Sequence, residues 1–145
     1  MMNSNKGFTL LELMVAIAVL AILLSIAVPN YNAQIAATRL RADADNVVTA
    51  LQLARSEAVT RRTQVTVSNL ATGATVMQGG ASIRVFPALS AGIAIDGADV
   101  TYRPDGSVLA VDPAGISVTG ASDARTICVN YIGQARMLVG AVACP

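Results

Sequence analysis

GFTLLELMVAIAVLAILLSIAVPNY, residues 7–31, is nearly all apolar and carries one carboxylate, Glu12, close to its start. A cleaved secretory signal has a basic front, an apolar core of roughly 7 to 15 residues and a small-x-small ending. This run is longer, and Pro29-Asn30-Tyr31 is a poor cleavage site of that kind. A membrane-spanning helix needs about 20 apolar residues, which Phe8 to Val28 supplies. That reading leaves Glu12 unexplained, because a carboxylate in hydrocarbon costs about 2.5 to 3.5 kcal/mol on insertion scales. A third reading makes Gly7 a processing site, so that the mature chain begins at Phe8 inside the apolar run.

The rest of the chain is built on a different pattern. Its 145 residues suit one domain plus an anchor, and a hydrophobic fraction of 54% with only 3% aromatic and 13% charged residues is concentrated in that first segment. The net charge of +1 gives no global attraction to nucleic acid, so a basic site would be a local patch among arginines spread from Arg39 to Arg136. Histidine is absent and the cysteines are two, Cys128 and Cys144, which excludes Ser-His and Cys-His nucleophile pairs and a cysteine zinc site. No phosphate-cradling glycine loop or carboxylate cluster is present, so no catalytic site, metal or cofactor is expected; Gly79-Gly80 reads as an isolated turn.

From Asn32 to Arg62 there is neither glycine nor proline, and Val47, Val48, Leu51, Ala54 and Ala58 recur at helical spacing while Arg41, Asp45, Gln52, Arg55 and Arg62 fall elsewhere. The spacing predicts a helix that continues from Phe8 to about Arg61, a rod on the order of 80 Å, with an amphipathic second half. Pro29 removes one hydrogen bond from it, and a kink or melted turn is expected there. The period then falls to two. Short strands are expected at 64–67, 82–86, 92–95, 100–103, 107–111, 116–118, 126–131 and 135–139, with Pro104-Asp105-Gly106 and Ile132-Gly133 as hairpin turns. These strands read as one antiparallel sheet against the second half of the helix.

Gly7-Phe8-Thr9-Leu10-Leu11-Glu12, followed by the apolar run, resembles the class III signal of type IV prepilins and type II secretion pseudopilins. The resemblance implies that a prepilin peptidase cuts between Gly7 and Phe8 and that the new amino group of Phe8 is methylated. Glu12 then has a partner, since the ammonium created at Phe8 lies one helical turn away in the same chain or in a neighbour shifted along the bundle. The bland alternative is a carboxylate tolerated near the lipid headgroups. The run Leu51-Gln52-Leu53-Ala54-Arg55-Ser56-Glu57-Ala58 leading into Gln64-Val65-Thr66-Val67 is similar to the GspH/FimT group of minor pilins and pseudopilins. The implied fold is α+β and type IV pilin-like: a leader over 1–7, a transmembrane and filament-core helix over 8–30, its amphipathic half over 31–62, and a β-rich head over 63–145.

A head displayed outside the inner membrane folds in an oxidising compartment, where two cysteines usually pair. A Cys128–Cys144 bond would pin the chain end to the last strands and contribute about 3 kcal/mol; two buried free thiols are the alternative. Between them, Gly133-Gln134-Ala135-Arg136 matches the Gly-Arg-x-Arg motif through which some FimT-like proteins bind DNA, with its first arginine missing. Arg125, and Arg103 further off, are candidates to replace it. The competing reading makes Gly133 a turn residue and Arg136 a solvated strand residue.

The expected function is structural: a minor pilin of a type IV pilus, a priming or tip component held in the inner membrane with its head in the periplasm before it enters the surface filament. Its expected partners are other major and minor pilins, the prepilin peptidase and the inner-membrane assembly platform. A DNA receptor in natural transformation, with double-stranded DNA as partner, is the alternative, and a type II secretion pseudopilin a further one.

Overall fold

Thr9 marks the start of the first helix. Its hydroxyl accepts the Glu12 N–H at 3.2 Å and its carbonyl accepts the Leu13 N–H at 3.2 Å, so Thr9 is the N-cap of α1 (Leu10–Arg61). The helix closes at Arg62, where φ turns to 54° and the Thr63 N–H reaches back to the Ala58 carbonyl at 3.3 Å. That six-to-one closure is a Schellman stop made without glycine. The computed structural model describes residues 8–110, 112, 115–121 and 123–145, without the side chains of 26–30. Gly7 and Lys6 lie outside the described residues. The chain divides into two compact units, Met1–Ile35 and Ala36–Pro145.

In the first unit every described side chain from Phe8 to Ser25 is exposed, including all the large apolar ones up to Leu24. Among the described residues no helix is long and apolar enough to cross a membrane. The apolar run read from the sequence continues to Val28, whose side chain lies outside the described set. Pro29 falls within α1, and its side chain is likewise outside that set.

In the second unit α1 buries one stripe. Leu40, Ala44, Val47, Leu51, Ala54 and Ala58 recur at alternating steps of four and three and are each at most 1% exposed, so they form one face of the helix. They join Val65, Val67, Val76, Tyr102, Val118 and Ile127 in a single apolar core. One acid shares the stripe: Asp43, 6% exposed, accepts the Ser90 N–H at 2.9 Å, which ties the helix to a long connection.

Eight strands follow: β1 (Val65–Ser68), β2 (Thr75–Gln78), β3 (Ala81–Val85), β4 (Ala94–Asp96), β5 (Val100–Tyr102), β6 (Ile116–Thr119), β7 (Ala124–Val129) and β8 (Ala135–Val139). They form two antiparallel four-stranded sheets, ordered β3-β2-β1-β5 and β4-β6-β7-β8, where the sequence suggested one. The single-sheet expectation fails because short-range turns fix hairpins but leave open which hairpins share a sheet. β2 was unassigned in the sequence. Gly79 and Gly80, at φ 55° and 87°, are the two-residue loop joining β2 to β3, so the isolated turn signal is a primed hairpin turn.

The strand expected at 107–111 is reduced to a single bridge, Tyr102 opposite Val108, and position 111 lies outside the described residues. Its backbone is shared: Leu109 donates to the Thr101 carbonyl at 2.9 Å, while Val108 donates to the Tyr131 carbonyl at 3.1 Å. The second bond links the β5 turn to the hairpin of the other sheet. The turn at Pro104-Asp105-Gly106 forms as read, with the Arg103 N–H on the Ser107 carbonyl at 2.8 Å.

Candidate functional site

At the amino-terminal end, Phe8 precedes the cap and Glu12 sits on the first helical turn, its side chain exposed. Threonine at the cap and glutamate three residues on is the capping-box spacing, and a carboxylate here also faces the positive end of the helix dipole, an effect of about 0.3 to 1 kcal/mol. The Thr-x-x-Glu spacing that signals this cap lies in the sequence at the edge of the apolar run.

The carboxyl-terminal candidates come together only in part. Gly133 is buried at φ +78°, and a Cβ there would lie 2.1 Å from the Gly106 carbonyl oxygen. The same oxygen accepts the Arg55 Nε–H at 3.1 Å. Three segments distant in sequence thus meet at one point: helix, β5 turn and β7–β8 hairpin. Gln134 is locked to Asn130, donating its N–H to Oδ1 at 2.8 Å and accepting the Asn130 N–H at its carbonyl at 3.1 Å.

Arg136 lies opposite Cys128 on the β7–β8 ladder and is exposed. Alternation along the strands places Arg136, Cys128, Thr126 and Leu138 on one face and Arg125, Ile127, Val129 and Met137 on the other. Arg125 therefore does not replace the missing arginine beside Arg136. Three steps along β7 from Cys128 is an odd number, which turns its side chain to the opposite face. There its Nη1 donates to the Asp123 carboxylate at 2.7 Å and to the Ala124 carbonyl at 2.8 Å. The Arg125 hydrogen bond in turn holds Asp123 below the usual carboxylate range. Arg103 stays exposed beside the β5 turn.

What the fold does place on one groove with Arg136 is Arg55. Both line a groove of about 1220 Å³ between the outer face of α1, through Gln52, Ser56 and Val59, and the β7–β8 hairpin. No sequence spacing joins residues 55 and 136, so this pairing was invisible before the fold. Tyr102 lies behind the groove with its ring against Gly133. Burial pushes its phenol up to about 12, and the nearby Arg55 charge partly offsets that rise. Cys128 and Cys144 are bonded, with Cα atoms 5.5 Å apart, and line the far end of the groove. The disulfide holds the final residues against β7.

The family described as type II transport protein GspH matches residues 43–133, and the prokaryotic N-terminal methylation motif matches residues 2–28. Two crystal structures of the type IV minor pilin FimU of Pseudomonas aeruginosa (strain PAO1) share the fold. One has a TM-score of 0.60 at 18% identity over 73% of this chain and 92% of that one. The other has a TM-score of 0.57 at 16% identity over 71% and 95%. No curated protein sequence matches significantly. With a helix capped at Thr9, its later half packed on antiparallel sheets, and the methylation motif over residues 2–28 taking in the cap and the start of that helix, the chain belongs to the GspH family of pilin-like proteins, as a minor pilin or pseudopilin of the GspH/FimT type.

Proposed function

We propose that this chain is a priming or tip minor pilin of a type IV pilus, cut by a prepilin peptidase between Gly7 and Phe8 and methylated on the Phe8 amino group. The observation that carries the reading is α1 from Leu10 to Leu24, apolar and exposed on every side, with Glu12 alone charged in its first turn. A helix apolar all round is stable only in lipid or among other helices. Moving from lipid into a filament exchanges one apolar environment for the other at little cost. The carboxylate then selects register, because its counter-charge is the ammonium of a processed Phe8 in the same or the adjacent chain. Pro29 supplies a bend in the anchor by removing one helical hydrogen bond. The disulfide suits a head folded in the oxidising periplasm while the anchor rests in the inner membrane.

Processing and filament entry are tested separately. Gly7→Ala should leave an uncleaved precursor that retains Lys6. Glu12→Ala should insert and be cleaved yet be missing from sheared filaments; normal recovery of this variant would remove the register role.

Two other readings have an observation behind them. The matched family's description, a type II transport protein, favours a secretion pseudopilin, which neighbouring genes would identify. Duplex-DNA binding at the groove gains Arg55 beside Arg136 and loses Arg125 to Asp123. Titration with duplex DNA at two salt concentrations tests it, since affinity resting on phosphate contacts falls steeply with salt.

A further inference from the structure

The charged side chains lining the groove between α1 and the β7–β8 hairpin are of one sign, although Pro145 at the end of the chain lines it as well. Arg55 and Arg136 are the only charged side chains among its described lining residues, and Glu57 on the same helix is outside it, paired with Arg61. A concave site lined this way concentrates anions.

β8 adds a second property, since it is an outer strand of its sheet. The Asn130 N–H to the Gln134 carbonyl and the Gly140 N–H to the Ala124 carbonyl bracket the β7–β8 ladder. In an antiparallel ladder this makes the even-numbered residues of β8 the hydrogen-bonded partners of β7, and it turns the N–H and C=O of Ala135, Met137 and Val139 outward. Of these, Ala135 also lines the groove. Edge strands are usually guarded by charged side chains, lysine above all, or by proline, a bulge or short length. β3 has a register shift opposite it at Val76/Met77, and β4 and β5 are three residues each. β8 is five residues, Ala-Arg-Met-Leu-Val, with a regular register, no proline and no bulge; Arg136 is its one charged residue. At its hairpin tip Tyr131 and Ile132 are 74% and 58% exposed.

We propose that the groove and the β8 edge receive an extended acidic segment of a neighbouring pilin, which adds to β8 as a further strand. Its carboxylates meet Arg136 and Arg55, its backbone pairs with the outward groups of Ala135, Met137 and Val139, and an apolar side chain packs on Tyr131. This rests on the reading that the chain assembles among other pilins. Strand addition draws affinity from main-chain bonds and specificity from alternate side chains, which is the combination offered here. Duplex DNA fits less well. The outward carbonyls of β8 repel a phosphodiester but accept a peptide N–H, and Arg55 already commits Nε to Gly106.

The test replaces Gln52, on the helix wall of the groove, by a photo-crosslinking phenylalanine analogue in the full chain, produced alongside its companion pilins. Captured segments are identified by mass spectrometry, and entry of the chain into filaments is measured in parallel. The expected capture is a carboxylate-rich segment of another pilin. Ala135→Pro removes an outward N–H without touching the β7 ladder, and Arg136→Glu reverses the charge; each should lower the yield about tenfold. The same analogue at Asp96, on the opposite edge strand β4, should capture no such segment. Circular dichroism and an intact disulfide show that both variants fold. Capture of a neutral or basic segment, capture of DNA alone, no capture, or undiminished yield in both variants overturns the proposal. If the chain nevertheless enters filaments, the strand addition fails and the assembly role stands.

Discussion

Residues 10–25 and 40–61 belong to the same helix, α1, and are solvated in opposite ways. In the first stretch no face is protected: Leu11, Leu13, Ile17, Leu20 and Leu24 are all more than half exposed. In the second, one stripe is almost completely buried and the other faces are polar. A helix made of one sequence pattern is tuned to one environment, whereas this one is tuned to two. The first stretch has every described side chain exposed and joins no buried core. The second is the central element of the head's core.

The largest effect that would sharpen this contrast is a pair of equal truncations. Leu51→Ala removes a fully buried side chain from the core and should lower head stability by about 2 to 5 kcal/mol, read from denaturant midpoints. Leu20→Ala should leave the same midpoint within about 0.5 kcal/mol, since its side chain is exposed. Equal losses at both positions would break the distinction. Next, replacing both Cys128 and Cys144 by serine should cost about 3 kcal/mol by freeing the last residues from β7, with no change in membrane insertion.

Smaller is the loss at Asp43, the acid on the buried stripe. Asp43→Ala leaves the Ser90 N–H without its acceptor and should cost about 1 to 2 kcal/mol, with Asp43→Asn recovering most of it. The smallest effect appears only in alkali. The Tyr102 phenol ionises at about 12 in the folded head against 10.0 ordinarily. Below pH 10 it is neutral in both states, so its contribution is complete. Above pH 10 the unfolded chain gives up its proton first, and stability falls until the folded phenol also ionises near pH 12. Tyr102→Phe should flatten that part of the pH profile; an unchanged slope would place its cause elsewhere.

Much of this was legible in the one-dimensional pattern because the forces involved are local. A run of apolar side chains reads as an anchor wherever it occurs, the steps of four and three from Leu40 to Ala58 read as a buried helical face, and Pro104-Asp105-Gly106 reads as a turn. Two cysteines near the chain end raised a disulfide, which the fold contains. Thr9 was also available through its spacing to Glu12. The short β2 was not, since Thr-Val-Met-Gln between glycines has too few alternations to distinguish strand from loop.

The amino-acid sequence by itself determined the apolar first segment, the span of the helix, the turn at Pro104-Asp105-Gly106 and the family, because each depends on neighbours within a few positions. Only the tertiary structure decided that the strands divide into two sheets, that Gly133 is required by the close Gly106 carbonyl, and that Arg136 shares its groove with Arg55 rather than Arg125. Those outcomes depend on which faces meet. Strand parity turned Arg125 to the far side of its sheet, and packing of α1 on the core brought Arg55 across a long sequence separation to the edge where β8 remains open.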